Sequence, residues 1–168
     1  IASHFAIEGR FLLGEPYGCG HINRTYLVQT GSGKRYILQR VSELMTPDME
    51  GLMRNVSDIT QYLRRVEPDP RRVPMLIPAA DGKYYVHHES GWWRVFVFAE
   101  HTICLQLPRT DQDFYEAALA FGRFSENLKA YPIDRLGETI PDFHNTPKRY
   151  EAFHEVIEKD PEGRAASV

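Results

Sequence analysis

The feature that most restricts the fold is a change of hydrophobic period near Glu100. Before it, apolar residues come in short alternating runs punctuated by glycine; after it, they recur at three- and four-residue spacing. A chain that changes period once puts its strands in one part and its helices in another, the α+β pattern. Candidate strands are residues 10–14, 23–30, 34–42, 75–79, 84–89 and 92–99, separated by turns such as Gly31-Ser32-Gly33, Asp81-Gly82 and Ser90-Gly91. From these six segments one antiparallel sheet, of five strands, is expected. Between the strand groups, Met49, Leu52, Met53, Val56, Ile59, Leu63 and Val66 predict a helix over 47–66 with Thr46 as N-cap, Pro47 in the first position and Pro68 and Pro70 as terminators. Phe114, Ala117, Ala118, Phe121, Phe124 and Leu128 predict a second helix over 110–130, with Thr110 and Asp113 as a capping box. Thr146-Pro147 opens a third, running to about Lys159.

Composition excludes several classes. With 42% hydrophobic residues in 168, the chain has enough apolar surface for a packed core. Its 23 acidic and 20 basic residues leave a charge of −3, and arginine pairs occur only at Arg64-Arg65 and Arg71-Arg72, so no nucleic-acid surface is expected. The longest apolar runs, Val95 to Ala99 and Ala117 to Phe121, are far short of the ~20 residues that span a bilayer. Cys19 and Cys104 form no CxxC pair, so reduced thiols and a cytoplasmic setting are expected. The chain opens on Ile1-Ala2-Ser3 without Met, which reads as part of a longer polypeptide.

Chemistry concentrates in three stretches. Gly18-Cys19-Gly20-His21-Ile22-Asn23 joins the first two strands, and such a turn either lays backbone N–H groups against phosphate oxygens or is simply a flexible hairpin. It is no Walker A loop, lacking GK[ST], and no dinucleotide fingerprint, because a strand comes next. On the third strand Tyr36, Leu38 and Arg40 share a face; similarity to kinase-like folds, which place a cation here for the nucleotide phosphates, would make Arg40 a candidate cleft cation with Glu50, Asn55 or Asp58 of the next helix as its partner, and a solvated arginine at a strand end is the other reading. The aromatic run Trp92 to Ala99 ends where sheet gives way to helix; similarity of that junction to the hinge of a two-lobed kinase would make the backbone of Phe98, Ala99 and Glu100 candidates for bonding an adenine edge, and a plain core strand is the other reading. Adjacent strand histidines His87 and His88 point to opposite faces and cannot share a metal.

The order of strand, glycine turn, strand with cation, helix, meander and hinge resembles the small lobe of the aminoglycoside-phosphotransferase and choline-kinase superfamily. Gly20-His21-Ile22-Asn23-Arg24-Thr25-Tyr26, Tyr36-Ile37-Leu38-Gln39-Arg40-Val41, Trp93-Arg94 and the stretch Glu138 to Arg149 are similar to the N-acetylhexosamine 1-kinase group, often labelled mucin-desulfatase-like, over about residues 11–164. The resemblance implies a protein-kinase-like small lobe over 1–99, a hinge over 100–109 and the first helices of a large lobe over 110–168. It also implies ATP and Mg2+ as cofactors and an amino sugar as substrate, phosphorylated at its anomeric hydroxyl. Gly18, Gly20, His21, Asn23, Arg40 and the hinge would then hold the nucleotide. Asp142, His144, Asn145 and Arg149 suit sugar hydroxyls and amides, although Asn145 and Thr146 could equally cap a helix.

The departures from that pattern matter equally. None of the seven histidines has Asp two residues on, and Asp142-Phe143-His144 matches only the first two letters of the metal motif. Asp111-Gln112-Asp113 sits at a helix start and reads as capping. No catalytic or metal-binding residue is therefore assigned, and the chain by itself is expected to be inactive. The alternative is a non-catalytic kinase-like module that binds nucleotide or a protein partner; the plainest is a structural α+β domain.

Overall fold

The computed structural model describes residues 1–43 and 48–165. Strands β1 (Phe11–Pro16), β2 (Arg24–Thr30), β3 (Arg35–Val41), β4 (Val86–His88) and β5 (Gly91–Val97) form one antiparallel sheet in the order β1-β2-β3-β5-β4. Helix α1 (Met49–Val66) lies between β3 and β4 in sequence, and α2 (Asp111–Leu128) and α3 (Thr146–Lys159) come after the sheet. The α+β class and the five-stranded sheet are as expected.

Both sheet faces are apolar, and each is covered by a different element. Val28, Tyr36, Leu38, Trp93 and Val95 pack with Phe5, Ile77 and Ala79, so the N-terminal segment closes one face. That segment is pinned by Ala6 N–H donating to Pro78 O at 2.8 Å and by Tyr36 Oη accepting from Glu8 N at 2.9 Å. On the other face Val41 and Phe96 meet Met49 and Met53, the buried stripe of α1. The apolar spacing read from the sequence is this stripe.

Three local expectations change. Residues 75–79 make no strand: Leu76 bridges Phe96 and Ala79 bridges Phe5 singly. Pro74 and Pro78 bracket the segment, and neither has an N–H to extend the ladder. Asp48 caps α1, its Oδ1 accepting from Gly51 N at 2.8 Å; the expected Thr46 cap and Pro47 lie outside the described residues. Asn145 rather than Thr146 caps α3 by accepting from Lys148 N at 3.2 Å. The capping box of α2 forms as expected, and Asp113 is held below the usual carboxylate range chiefly by the Arg109 N–H.

The outer side of α1 anchors the segment after α2. Asn55 clamps Gly137 in both directions, donating to its O at 2.7 Å and accepting from its N at 3.1 Å. Asp58 accepts from Tyr131 Oη at 2.6 Å and Arg135 Nη2 at 2.8 Å, and Tyr62 meets the Tyr131 ring edge-on. By contrast α2 and α3 bury no residue fully.

Two substitutions separate these roles. Met53 is 2% exposed, and Met53→Ala should cost about 2–5 kcal/mol in urea unfolding. Asn55→Ala should cost about 1–3 kcal/mol by leaving both Gly137 groups unpaired. It should also speed amide exchange at Gly137; exchange as slow as in the parent chain would mean that the clamp does not hold this segment.

Candidate functional site

Strand alternation decides which side chains share the face covered by α1. On β3 these are Ile37, Gln39 and Val41, and on β5 Trp92, Arg94 and Phe96, since Val41, Trp92 and Phe96 all pack with Met49 and Met53. Arg40 therefore lies on the opposite face with Tyr36 and Leu38, beside Gly91 and away from α1. None of its expected partners reaches it: Glu50 accepts from Tyr85 Oη at 2.9 Å, while Asn55 and Asp58 hold the segment after α2. Arg40 and the groups offered as its partners are thus not brought together.

The polar group that faces α1 is a rung across three strands. In register, Thr25 pairs with Gln39 and Gln39 with Arg94. Gln39 Nε2 donates to Thr25 Oγ1 at 3.1 Å, and Gln39 Oε1 accepts from Arg94 Nε and Nη2 at 2.9 and 2.7 Å. The same guanidinium lies over the Phe96 ring at 5.1 Å. Neither Gln39 nor Arg94 stands out as a site residue in the sequence. The signal is their pairing, which appears only when the β3–β5 register is known.

The glycine turn leaves the sheet at this rung. Tyr17 N donates to Thr25 O at 2.9 Å, and Asn23 Oδ1 accepts from Ser42 N at 2.9 Å, which ties the turn to the end of β3 and occupies that acceptor. Gly18 has φ +79°, a conformation that favours glycine, and no atom lies within 4 Å of a Cβ built at Gly18 or Gly20. His21 is exposed. The turn also reaches the hinge: the Tyr17 and Phe98 rings meet edge-on at 5.8 Å, and Cys19 Sγ donates to Gln106 Oε1.

At the hinge, Phe98 N is taken by Arg35 O at 3.1 Å and Ala99 O by Thr102 Oγ1 at 2.7 Å. The Ala99 and Glu100 amides donate to nothing among the described residues. Arg35 pairs with both Glu100 carboxylate oxygens and lies over Phe98 at 4.3 Å, and this arginine holds the Glu100 carboxyl below its ordinary range. A cavity of about 580 Å³ opens between the hinge, Ile37, Phe96 and the 70–75 segment. Arg71 and Arg72 on its rim are tied to Asp69 and Glu67.

The 142–149 stretch is a different matter. Asp142 takes Lys148 Nζ at 2.6 Å and Asn145 Nδ2 at 2.9 Å, Arg149 donates to Phe143 O, and His144 meets the Phe143 ring. These polar groups build the start of α3 and satisfy one another. Among the described residues none of their hydrogen bonds reaches the sheet.

No protein-family model matches the sequence. The structure is similar to that of an aminoglycoside phosphotransferase from Alicyclobacillus acidocaldarius, with a TM-score of 0.55 and 12% sequence identity. The match covers 96% of this chain and 43% of that one, so the chain spans less than half the length of that protein. What the two share at this identity is the kinase-like fold.

The rim of the cavity supplies a pH test. Asp69 is lowered to about 2, first by the Arg71 side chain and then by the Arg71 N–H. Because the folded value lies below the unfolded value of about 3.9, its stabilising effect is complete above pH 4 and is lost as pH falls toward 2. In a carboxyl NMR titration, Arg71→Ala should return Asp69 toward 3.9; a midpoint still near 2 would show that the backbone donor suffices.

Proposed function

We propose that the chain is the nucleotide-binding lobe of an ATP-dependent phosphotransferase whose acceptor is a small-molecule hydroxyl. The observation that carries this reading is the placement of the glycine turn against the hinge, through Tyr17–Phe98 and Cys19–Gln106, beside the α1-facing side of the sheet. The unpartnered Ala99 and Glu100 amides suit the edge of a purine, Ile37, Phe96 and Phe98 suit its ring, and the turn amides around Gly18 and Gly20 suit phosphate oxygens. The amino-sugar acceptor, phosphorylated at the anomeric position, rests on the motif resemblance. The 142–149 groups, engaged in the α3 cap, add no support to it.

ATP, when bound, supplies the transferable phosphoryl group; this chain's residues would bind and orient it. Mg2+, which is held by phosphate oxygens and water with one or two carboxylates, would come with the nucleotide; among the described residues no group of three His, Cys, Asp or Glu side chains converges to hold it unaided.

Calorimetric titration tests binding directly. The chain should bind ATP, with adenosine competing for the same site. Gly20 is not in the left-handed region and has open space around it, so Gly20→Val should leave the melting temperature unchanged. It should weaken ATP by about tenfold or more through a clash with the phosphates. ATP binding that ignores Gly20→Val removes the turn from the site, and no heat with ATP or adenosine sinks the nucleotide reading.

A further inference from the structure

Arg94 is a largely buried cation with no acid beside it. The other well-held arginines have carboxylates: Arg35 has Glu100, Arg71 has Asp69, Arg72 has Glu67 and Arg135 has Asp58. Arg94 instead has the neutral Gln39 amide, the Met53 sulfur at 3.8 Å and the Phe96 ring. No carboxylate among the described residues lies within ion-pair distance, and the undescribed stretch 44–47 contains no Asp or Glu. Burial disfavours its charge, yet a guanidinium stays protonated at any physiological pH.

An uncompensated buried charge opposes folding, and its hydrogen bonds to an amide offset only part of that. The guanidinium has five N–H groups. Nε and one N–H of Nη2 go to Gln39, and one N–H of Nη1 points to sulfur. One N–H on each terminal nitrogen is left without an oxygen acceptor among the described residues. Two such donors suit a bidentate oxyanion.

The position says which oxyanion. Gln39 bonds Thr25, and the Thr25 carbonyl receives Tyr17 N at the point where the glycine turn begins. The start of the glycine turn and the guanidinium are thus linked, through Thr25 and Gln39, at one end of the sheet. We propose that Arg94, oriented by Gln39 across the β3–β5 pair, is the cation that binds the nucleotide's phosphates, so that β5 supplies the charge expected on β3. For the identity of the ligand this rests on the nucleotide reading above; for the existence of an anion site it does not.

The test compares ATP, adenosine and inorganic tripolyphosphate on the full chain and its variants. The parent should prefer ATP to adenosine, and tripolyphosphate should raise its melting temperature. Arg94→Met should cut the ATP preference by about tenfold or more with adenosine unchanged, and abolish the tripolyphosphate shift. Arg94→Lys should recover part of both, and Arg40→Ala should change neither. Because Arg94→Met strands the Gln39 carbonyl, the pair Gln39→Met with Arg94→Met serves as the folding control. It should melt no lower than the parent, since no buried charge remains, and should still lack the anion response.

An Arg94→Met chain that keeps the ATP preference and the tripolyphosphate shift overturns the inference and leaves the nucleotide reading standing. A tripolyphosphate shift that depends on Arg94, in a chain that binds neither ATP nor adenosine, supports the anion site and overturns the nucleotide reading. A parent chain that responds to neither ATP nor tripolyphosphate overturns both.

Discussion

The packing of α1 on one face of the sheet is the constraint on which the rest of the structure depends. Successive strand residues point to opposite sides, so the choice of covered face sorts every side chain of β3 and β5 into one environment or the other. Met53, among the most completely buried residues, seats against the side that holds Val41 and Phe96. The N-terminal segment takes the other side through Phe5. Swapping the two covers would exchange Arg40 for Gln39 and Arg94 in the candidate site.

The same helix also connects the two parts of the chain. Its inward stripe is apolar and its outward side carries Asn55, Asp58 and Glu67, all bonded to residues at the end of α2 or beyond it. Groups that a sequence reading offers as ion-pair partners for a strand cation thus act as struts. Each such bond contributes about 1 kcal/mol net, but leaving a half-buried partner unpaired costs more, so the set behaves as a unit.

Charge placement tracks burial. The Arg35–Glu100 pair is nearly half exposed and therefore screened; it fixes the geometry of the hinge more than it stabilises the fold. Arg94 sits where water is largely excluded, and an anion there would be felt strongly because little solvent intervenes. The glycine turn nearby has open space at Gly18 and Gly20, which lets its backbone approach a ligand that a side chain would hold off.

What the sequence determined by itself is what local physics encodes. The change of period near Glu100, the turn glycines, the proline stops after Val66 and the Thr110–Asp113 box yield element type, order and the α+β class, because each depends on neighbours within a few residues. The glycine turn and the aromatic junction were legible as candidates for the same reason. Tertiary structure alone decided which face each candidate occupies. Both faces of β3 are apolar, so alternation cannot tell whether Tyr36 and Arg40 or Ile37 and Gln39 lie beneath α1. It also decided that Pro74 and Pro78 reduce residues 75–79 to single bridges, and that the polar groups of 142–149 satisfy one another. Arg94 becomes visible as a cation without a counter-ion only when the β3–β5 register sets it opposite Gln39, fifty-five residues away in the chain. A pairing over that distance is fixed by the fit of two covered faces, which no local pattern records.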